Sequence, residues 1–201
     1  MKCDLALRSF SIGLPEGIVR VPVDSIADRD SALADELAAR FGLPGDDVSA
    51  DALGSVFTGL GAVLGESGME FAGMGLFRSP DEPTRPAFVM LTGTRVPSKH
   101  ESVAIAIAGL RELYGQQTAQ AVETLLLPAG EAVAVVEEQL LEIPVDVHEP
   151  ITMLIRRASA WFPDSRGTTL GMVSVISPSW QDWAHVCDLA LDVFDSFTWE
   201  D

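Results

Sequence analysis

The stretch that decides the fold is "ITMLIRRASAWFPDSRGTTLGMVSVIS", residues Ile151 to Ser177. Two runs rich in β-branched and aromatic residues flank a short turn sequence, which is the pattern of a β-hairpin. Gly167 ends that turn, and a glycine can take the positive φ angle that such turns require. Because a hairpin pairs its strands antiparallel, this stretch predicts an antiparallel sheet.

Two more hairpins precede it in the chain. The runs "VETLLL" and "AVAVVEEQLL" flank the tight connection "PAGE", and the runs "MEFAGMGLF" and "RPAFVMLTGTRV" flank the turn-rich "RSPDEPT". Each pair joins two strand-like runs by residues that favour turns. Near the start, "FSIGLPEGIVRVPV" predicts short extended pieces broken by glycine and proline.

Helices are predicted between and after these hairpins. Apolar residues recur at helical spacing in residues 26–41, 50–65 and 103–114. Ser98 stands three residues before Glu101, which is the spacing of a capping box at a helix start. The chain closes with a helix from Ser179 to Phe197. The predicted fold class is therefore α+β, a mostly antiparallel sheet flanked by helices in a single domain of residues 1–201.

The closing helix, "WQDWAHVCDLALDVFDSF", has the densest set of reactive side chains. At 100° per residue its predicted buried arc consists of Trp180, Trp183, Ala184, Cys187, Ala190, Leu191, Phe194 and Phe197. His185 and Cys187 lie about 200° apart on this wheel, which excludes a thiolate–imidazole dyad between them. Cys187 is therefore predicted to be a small core residue.

Metal and nucleotide sites are not predicted. His185 and Asp188 share a helix face, but zinc needs three or four ligands and His100 and His148 are far away in sequence. The glycines of "GLGAVLG" lie inside a helical pattern, whereas a dinucleotide loop follows a strand and opens a helix. We expect no cofactor and no metal.

Arg156 and Arg157 form the only pair of adjacent lysine or arginine residues in the sequence. Strand alternation sends them to opposite faces of the sheet, and an inward arginine needs an acidic partner. The favoured interpretation is a structural ion pair plus one solvated arginine. Contact between one of these arginines and an anion is the alternative, and the sequence leaves it open.

Composition limits the classes of partner. The chain has 201 residues and a formal charge of −17, which works against binding to nucleic acid or to anionic membranes. No apolar run reaches the length of about 18 residues that a membrane span needs, and the first ten residues lack the apolar stretch of a secretory signal. With only two cysteines there is no disulfide framework. We therefore expect a cytoplasmic protein.

The C-terminal third resembles a known superfamily. A strand, the turn "FPDSRG", a strand ending "SVISPS" and a helix that ends with Phe194, Asp195, Ser196, Phe197 and Trp199 are similar to the last elements of the PsbP-like α/β/α sandwich. The whole chain is also similar to uncharacterised actinobacterial proteins, some of them near type VII secretion genes. This resemblance implies the fold and an accessory role in secretion. Its motifs are packing patterns and carry no catalytic residues.

The sequence supports two hypotheses of different class. The first is a non-enzymatic interaction module with a basic protein partner, whose partner-facing side chains are Asp182, His185, Asp188, Asp192 and Asp195. The second is a small-ligand-binding or hydrolytic enzyme with a site assembled from distant residues such as His148, Glu149 and Arg157. A deep polar pocket would favour the enzyme, and a large exposed apolar patch would favour the interaction module. The sequence leaves the oligomeric state open.

Overall fold

The computed structural model describes residues 7–21, 23, 65, 67–117, 119–145 and 148–200, with the backbone alone for 141–145 and 148–153. The helices predicted for residues 26–41 and 50–65 lie outside the described residues, apart from Gly65. The described elements are β1 (Phe10–Ser11), β2 (Val19–Val21), β3 (Phe71–Arg78), β4 (Pro86–Pro97), α1 (Val103–Gly115), β5 (Ala121–Leu127), β6 (Gly130–Val145), β7 (His148–Pro163), β8 (Thr169–Ser177), a 3₁₀ turn (Trp180–Asp182), α2 (Trp183–Asp195) and β9 (Thr198–Trp199).

A seven-stranded sheet organises these elements. Its strand order is β2-β3-β4-β8-β7-β6-β5, and every neighbouring pair is antiparallel. The three predicted hairpins are confirmed as β3–β4, β5–β6 and β7–β8. Gly167 has a φ of 73°, as its place in the β7–β8 turn requires. The short strands β1 and β9 pair separately and join the two ends of the described chain.

The two described helices pack on opposite faces of the sheet. Successive residues of β6 show this, because Ala132 belongs to the core beneath α2 and Val133 belongs to the core beneath α1. Such alternation is what a strand buried on both faces requires. The prediction of an α+β fold with a mostly antiparallel sheet flanked by helices is confirmed. None of the helices in the described ranges is long and apolar enough to cross a membrane.

The start of α1 differs from the prediction. The helix begins at Val103, and its N-cap is Ser102, whose side chain accepts a hydrogen bond from the Ile105 amide. The capping box at Ser98 and Glu101 is therefore wrong. The physical reason is that the backbone amide of Ser98 pairs with Thr168 on the β7–β8 turn. This bond holds Ser98 in the loop before the helix.

The helix α2 is rotated relative to the predicted arc. Ala190, Phe194 and, just beyond the helix, Phe197 are buried as predicted, whereas Trp180, Ala184 and Leu191 are exposed. Val186 and Val193 are buried instead. The helix has more apolar residues than one buried face can hold, so contact with the sheet selects among them.

Aromatic side chains close the core at the end of the chain. Phe197 is fully buried and stacks on Phe162 with ring centroids 3.9 Å apart. Phe10 also stacks on the ring of Phe197, with centroids 5.2 Å apart, and Trp199 contacts that ring edge-on at 5.1 Å. The N-terminal segment is thereby fixed against the C-terminal one.

Candidate functional site

The strands β6 and β7 extend beyond their neighbours in the sheet. Each has 16 residues, but β5 pairs with β6 only as far as Val136, and β8 pairs with β7 only as far as Arg156. Past these points β6 and β7 pair with each other and with no other strand in the described ranges, from Gln139↔Ile155 to Val145↔His148. We call residues 139–145 and 148–155 the ribbon. At about 3.3 Å per residue it projects roughly 20 Å from the sheet.

Both outer edges of the ribbon carry unpaired backbone groups in the described part of the chain. Such edges are templates for pairing with another strand, and native proteins usually cover or blunt them. The tip is blunted, because Pro144 and Pro150 lack an amide hydrogen and the register shifts between Ile143 and Val145. The stretches 139–143 and 151–155 contain no proline, so their edges keep every backbone donor.

The ribbon exposes apolar side chains where it leaves the sheet. Leu140 and Leu154 are register partners, and they are 67% and 41% exposed. An isolated two-stranded hairpin is only marginally stable in water, and exposed contiguous apolar surface is typical of interaction sites. Within the described residues, this arrangement is therefore an exposed apolar surface suited to a partner.

Two cross-strand ion pairs form the base of the ribbon. Arg156 lies opposite Glu138 and Arg157 lies opposite Glu137, each with a closest N···O distance of 2.6 Å. The predicted ion pair at these arginines is confirmed, but the prediction of a second arginine without a partner is wrong. Arg156 also lies over the ring of Trp183, 5.8 Å from its centroid, and so connects the ribbon to the first turn of α2.

Asp182 is not on the surface, which corrects its predicted place among the partner-facing side chains. It is 2% exposed and accepts hydrogen bonds from Ser79 at 2.5 Å and from Arg85 at 2.9 Å. The bond from Arg85, reinforced by that from Ser79, holds the pKa of Asp182 below its ordinary value of 3.8. The carboxylate fastens the start of α2 to the β3–β4 hairpin, so its role is structural.

This ion pair predicts a pH dependence of stability. A carboxyl whose pKa is lowered by folding stabilises the fold above its unfolded pKa, and the contribution is lost as the pH falls. We expect Asp182→Asn to lower the melting temperature at neutral pH, and we expect the difference from wild type to narrow below pH 3.8. Thermal melts from pH 7 to about pH 2 measure this, with Asp192→Asn on the exposed face as the control. A difference independent of pH would contradict the assignment.

The remaining predicted partner-facing residues are exposed on α2: His185, Asp188, Asp192 and Asp195. The Nε2 atom of His185 lies 3.5 Å from the carboxylate of Asp81 on the β3–β4 turn. His185 therefore faces Asp81, and the described residues contain no group of three metal-ligating side chains. Cys187 is half-buried, and burial together with the nearby Asp188 raises the pKa of its thiol, which makes it a poor nucleophile at neutral pH.

The structure brings together three residues whose chemistry the sequence did not reveal. The Nδ1 atom of His100 lies 3.0 Å from the hydroxyl of Ser98, and its Nε2 atom lies 2.9 Å from the backbone oxygen of Asp164. Ser98 and His100 are close in sequence, but Asp164 is 64 positions from His100. No local spacing could have indicated the cluster.

This cluster has the residue types of a catalytic triad, but its hydrogen bonds connect two loops and do not align a nucleophile with a base and an acid. A carbonyl oxygen only accepts, so His100 donates its Nε2 hydrogen to the backbone of Asp164 and not to a carboxylate. The carboxylate of Asp164 instead accepts from the amide and hydroxyl of Thr168. A triad requires the acid to orient the histidine. In addition, these residues line neither of two surface pockets, one between the β3–β4 hairpin and α2 and one where the N-terminal segment meets β3 and β4. The cluster therefore fastens the loop before α1 to the β7–β8 turn.

The residues named for the enzyme hypothesis do not converge. His148 and Arg157 belong to the same continuous strand, nine positions apart. At about 3.3 Å per residue their backbones are separated by roughly 30 Å, too far for one small-molecule site. Arg157 is bound to Glu137 and lines neither of these two pockets. The side chains of His148 and Glu149 lie outside the described residues.

Comparison with known proteins does not assign a class. The chain matches no protein-family model, no curated protein and no solved structure.

Proposed function

We propose that this protein is a non-enzymatic interaction module that binds a basic partner through the ribbon. The observation that carries the proposal is the extension of β6 and β7 beyond the sheet, with outer edges that no other described strand pairs and with an exposed Leu140–Leu154 pair. A partner strand that adds to one edge gains main-chain hydrogen bonds, and it covers the exposed leucines at the same time.

The charge of the ribbon supports a basic occupant. The ribbon contains eight apolar residues and two acidic ones, Glu142 and Glu149, and it contains neither lysine nor arginine. In each ion pair at the base, the charges of the arginine and the glutamate cancel. The two arginines therefore do not compensate the negative charge of the ribbon. A second copy of the chain would bring the same negative ribbon and a net charge of −17, which opposes self-association. A strand with lysine or arginine beside apolar residues complements both features.

The exposed acids of α2 support the same partner. Asp188, Asp192 and Asp195 add negative charge to the molecule, and the base of the ribbon contacts this helix through Arg156 and Trp183. Charge complementarity of this kind raises the association rate, and its effect weakens as salt shortens the screening length. A cytoplasmic location, the PsbP-like relationship and an accessory role in secretion, which the resemblance implies, stay predictions that belong to this proposal.

The proposal is tested by partner capture with matched variants. We expect the double variant Leu140→Ser/Leu154→Ser to lose a basic protein that the wild type captures from native lysate. The control is Leu126→Ser on β5, because Leu126 is 84% exposed and lies outside the ribbon. All three leucines are exposed, so the unfolding free energy should change by less than about 0.5 kcal/mol per substitution.

A second arm separates the ribbon from the acidic helix. Changing Asp188, Asp192 and Asp195 to Asn should weaken capture at low salt and have little effect at high salt. If the ribbon variant captures the same proteins as the wild type, or if the lost protein is acidic, the proposal fails. If only the helix variant loses its partner, the interface is the acidic helix and not the ribbon.

A further inference from the structure

A pocket of about 420 Å³ lies where the N-terminal segment meets the strands β3 and β4. Its volume is within the range of small-molecule sites, roughly 300–1,000 Å³. Two phenylalanines, Phe10 and Phe71, form apolar walls, and two arginines, Arg20 and Arg95, reach the same space. The pocket is separate from the ribbon, which is built from β6 and β7.

A glycine in β4 leaves the space in which the two phenylalanines pack against the strand. A Cβ atom at Gly93 would lie 3.1 Å from the ring of Phe10 and 3.4 Å from Phe71. The absence of a side chain there lets both phenylalanines pack directly on the strand. Phe10 is also stacked on the buried Phe197. The walls are therefore fixed by the core, as a preformed site requires.

The two arginines differ in their bonding. Arg95 donates to Glu70 at 2.5 Å and to the hydroxyl of Ser9 at 3.3 Å. Arg20 lies over the ring of Phe71, 5.5 Å from its centroid, and no carboxylate contacts it within the described residues. A guanidinium held against an aromatic ring keeps its hydrogen-bond donors available for a carboxylate or a phosphate.

We propose that this pocket binds a small organic anion, a carboxylate or phosphate attached to an apolar body. Arg20 supplies the charge partner, Phe10 and Phe71 cover the apolar body, and Arg95 lies beside the anion. Two carboxylates also line the pocket and oppose binding: Glu70 is paired with Arg95, and Glu200 is exposed. The ligand therefore has to compete with Glu70 for Arg95.

The probes are four small aromatic compounds that differ in charge. Isothermal titration calorimetry of the full chain at low ionic strength compares 3-phenylpropionate, phenyl phosphate, 3-phenylpropan-1-ol and phenethylamine. We expect both anions to bind and the alcohol to bind at least about tenfold more weakly, the usual loss when a charged hydrogen bond is removed. The amine should bind most weakly. The tighter of the two anions identifies the headgroup.

Two variants change the affinity in opposite directions. Arg20→Gln should weaken binding of the anions at least about tenfold, whereas Arg111→Gln, an equal charge change on the exposed face of α1, should not. Glu70→Gln should strengthen binding several-fold, because it removes the carboxylate that occupies Arg95. If Glu70 only supports the fold, Glu70→Gln should not increase the affinity for the anions.

Three results would overturn the assignment. Equal binding of the alcohol and the anions would make the pocket an apolar cavity without anion selectivity. Equal losses in Arg20→Gln and Arg111→Gln would mean that only the net charge of the protein matters. If neither anion binds detectably to the wild type or to Glu70→Gln, the pocket is not an anion-binding site. Each result is independent of the ribbon and leaves the proposed interaction function untouched.

Discussion

Phe194→Ala should lower the free energy of unfolding by about 3–5 kcal/mol, the usual loss when a buried phenylalanine is truncated. Phe194 is 2% exposed and packs in the core between α2 and the sheet. The strands beneath it are paired on both sides, so they cannot move in to fill the space. Urea denaturation measures the loss, with an unchanged slope if the unfolded state is unaffected.

The matched control lies on the same helix. Asp192→Ala is on the exposed face of α2, and we expect it to change the unfolding free energy by less than about 0.5 kcal/mol. Similar losses in the two variants would mean that the helix is rotated differently from the described arrangement.

Gly167→Ala should be the second severe substitution, with an expected loss of roughly 3 kcal/mol. Gly167 has a φ of 73°, where an L-residue is strained by about 1–2 kcal/mol. In addition, a Cβ atom there would clash with the backbone oxygen of His100. A backbone carbonyl cannot rotate away like a side chain, so the overlap adds roughly another 1–3 kcal/mol.

Gly68→Ala separates the two causes. Gly68 has a φ of 78°, nearly the same as that of Gly167, but its added Cβ atom would meet nothing within 4 Å. This variant should therefore show the conformational strain alone, about 1–2 kcal/mol. Urea denaturation measures the unfolding free energy of both variants. If the two losses are equal, the close approach of the His100 backbone oxygen to Gly167 does not contribute to the cost of Gly167→Ala.

The sequence predicted the features that depend on local pattern. Alternation, turn residues and helical spacing are properties of neighbouring residues, so the three hairpins and the closing helix follow from them. The cap of α1 was misplaced because Ser98 is held by Thr168, a contact between segments far apart in sequence. Long-range contacts decide such details, and a single sequence does not show them.

The candidate site depends on long-range contacts even more. Asp182 resembled the other helix aspartates in sequence, but its partners Ser79 and Arg85 are 103 and 97 positions away. The ribbon was visible only as two strand-like runs. Its extension depends on where β5 and β8 stop pairing, which is a property of the whole sheet. Composition alone indicated the basic partner, and the structure adds the surface proposed to bind it.

Photocrosslinking in the native cell tests the central claim most directly, because it reports contact at a single side chain. A photoreactive benzoyl-phenylalanine in place of Leu140 samples the ribbon, and the same group in place of Leu126 samples another exposed site on β5. The proposed function predicts one adduct with a basic protein from position 140 and none from position 126. It is contradicted if position 140 gives no adduct, if both positions give the same adducts, or if position 140 crosslinks to a second copy of this chain.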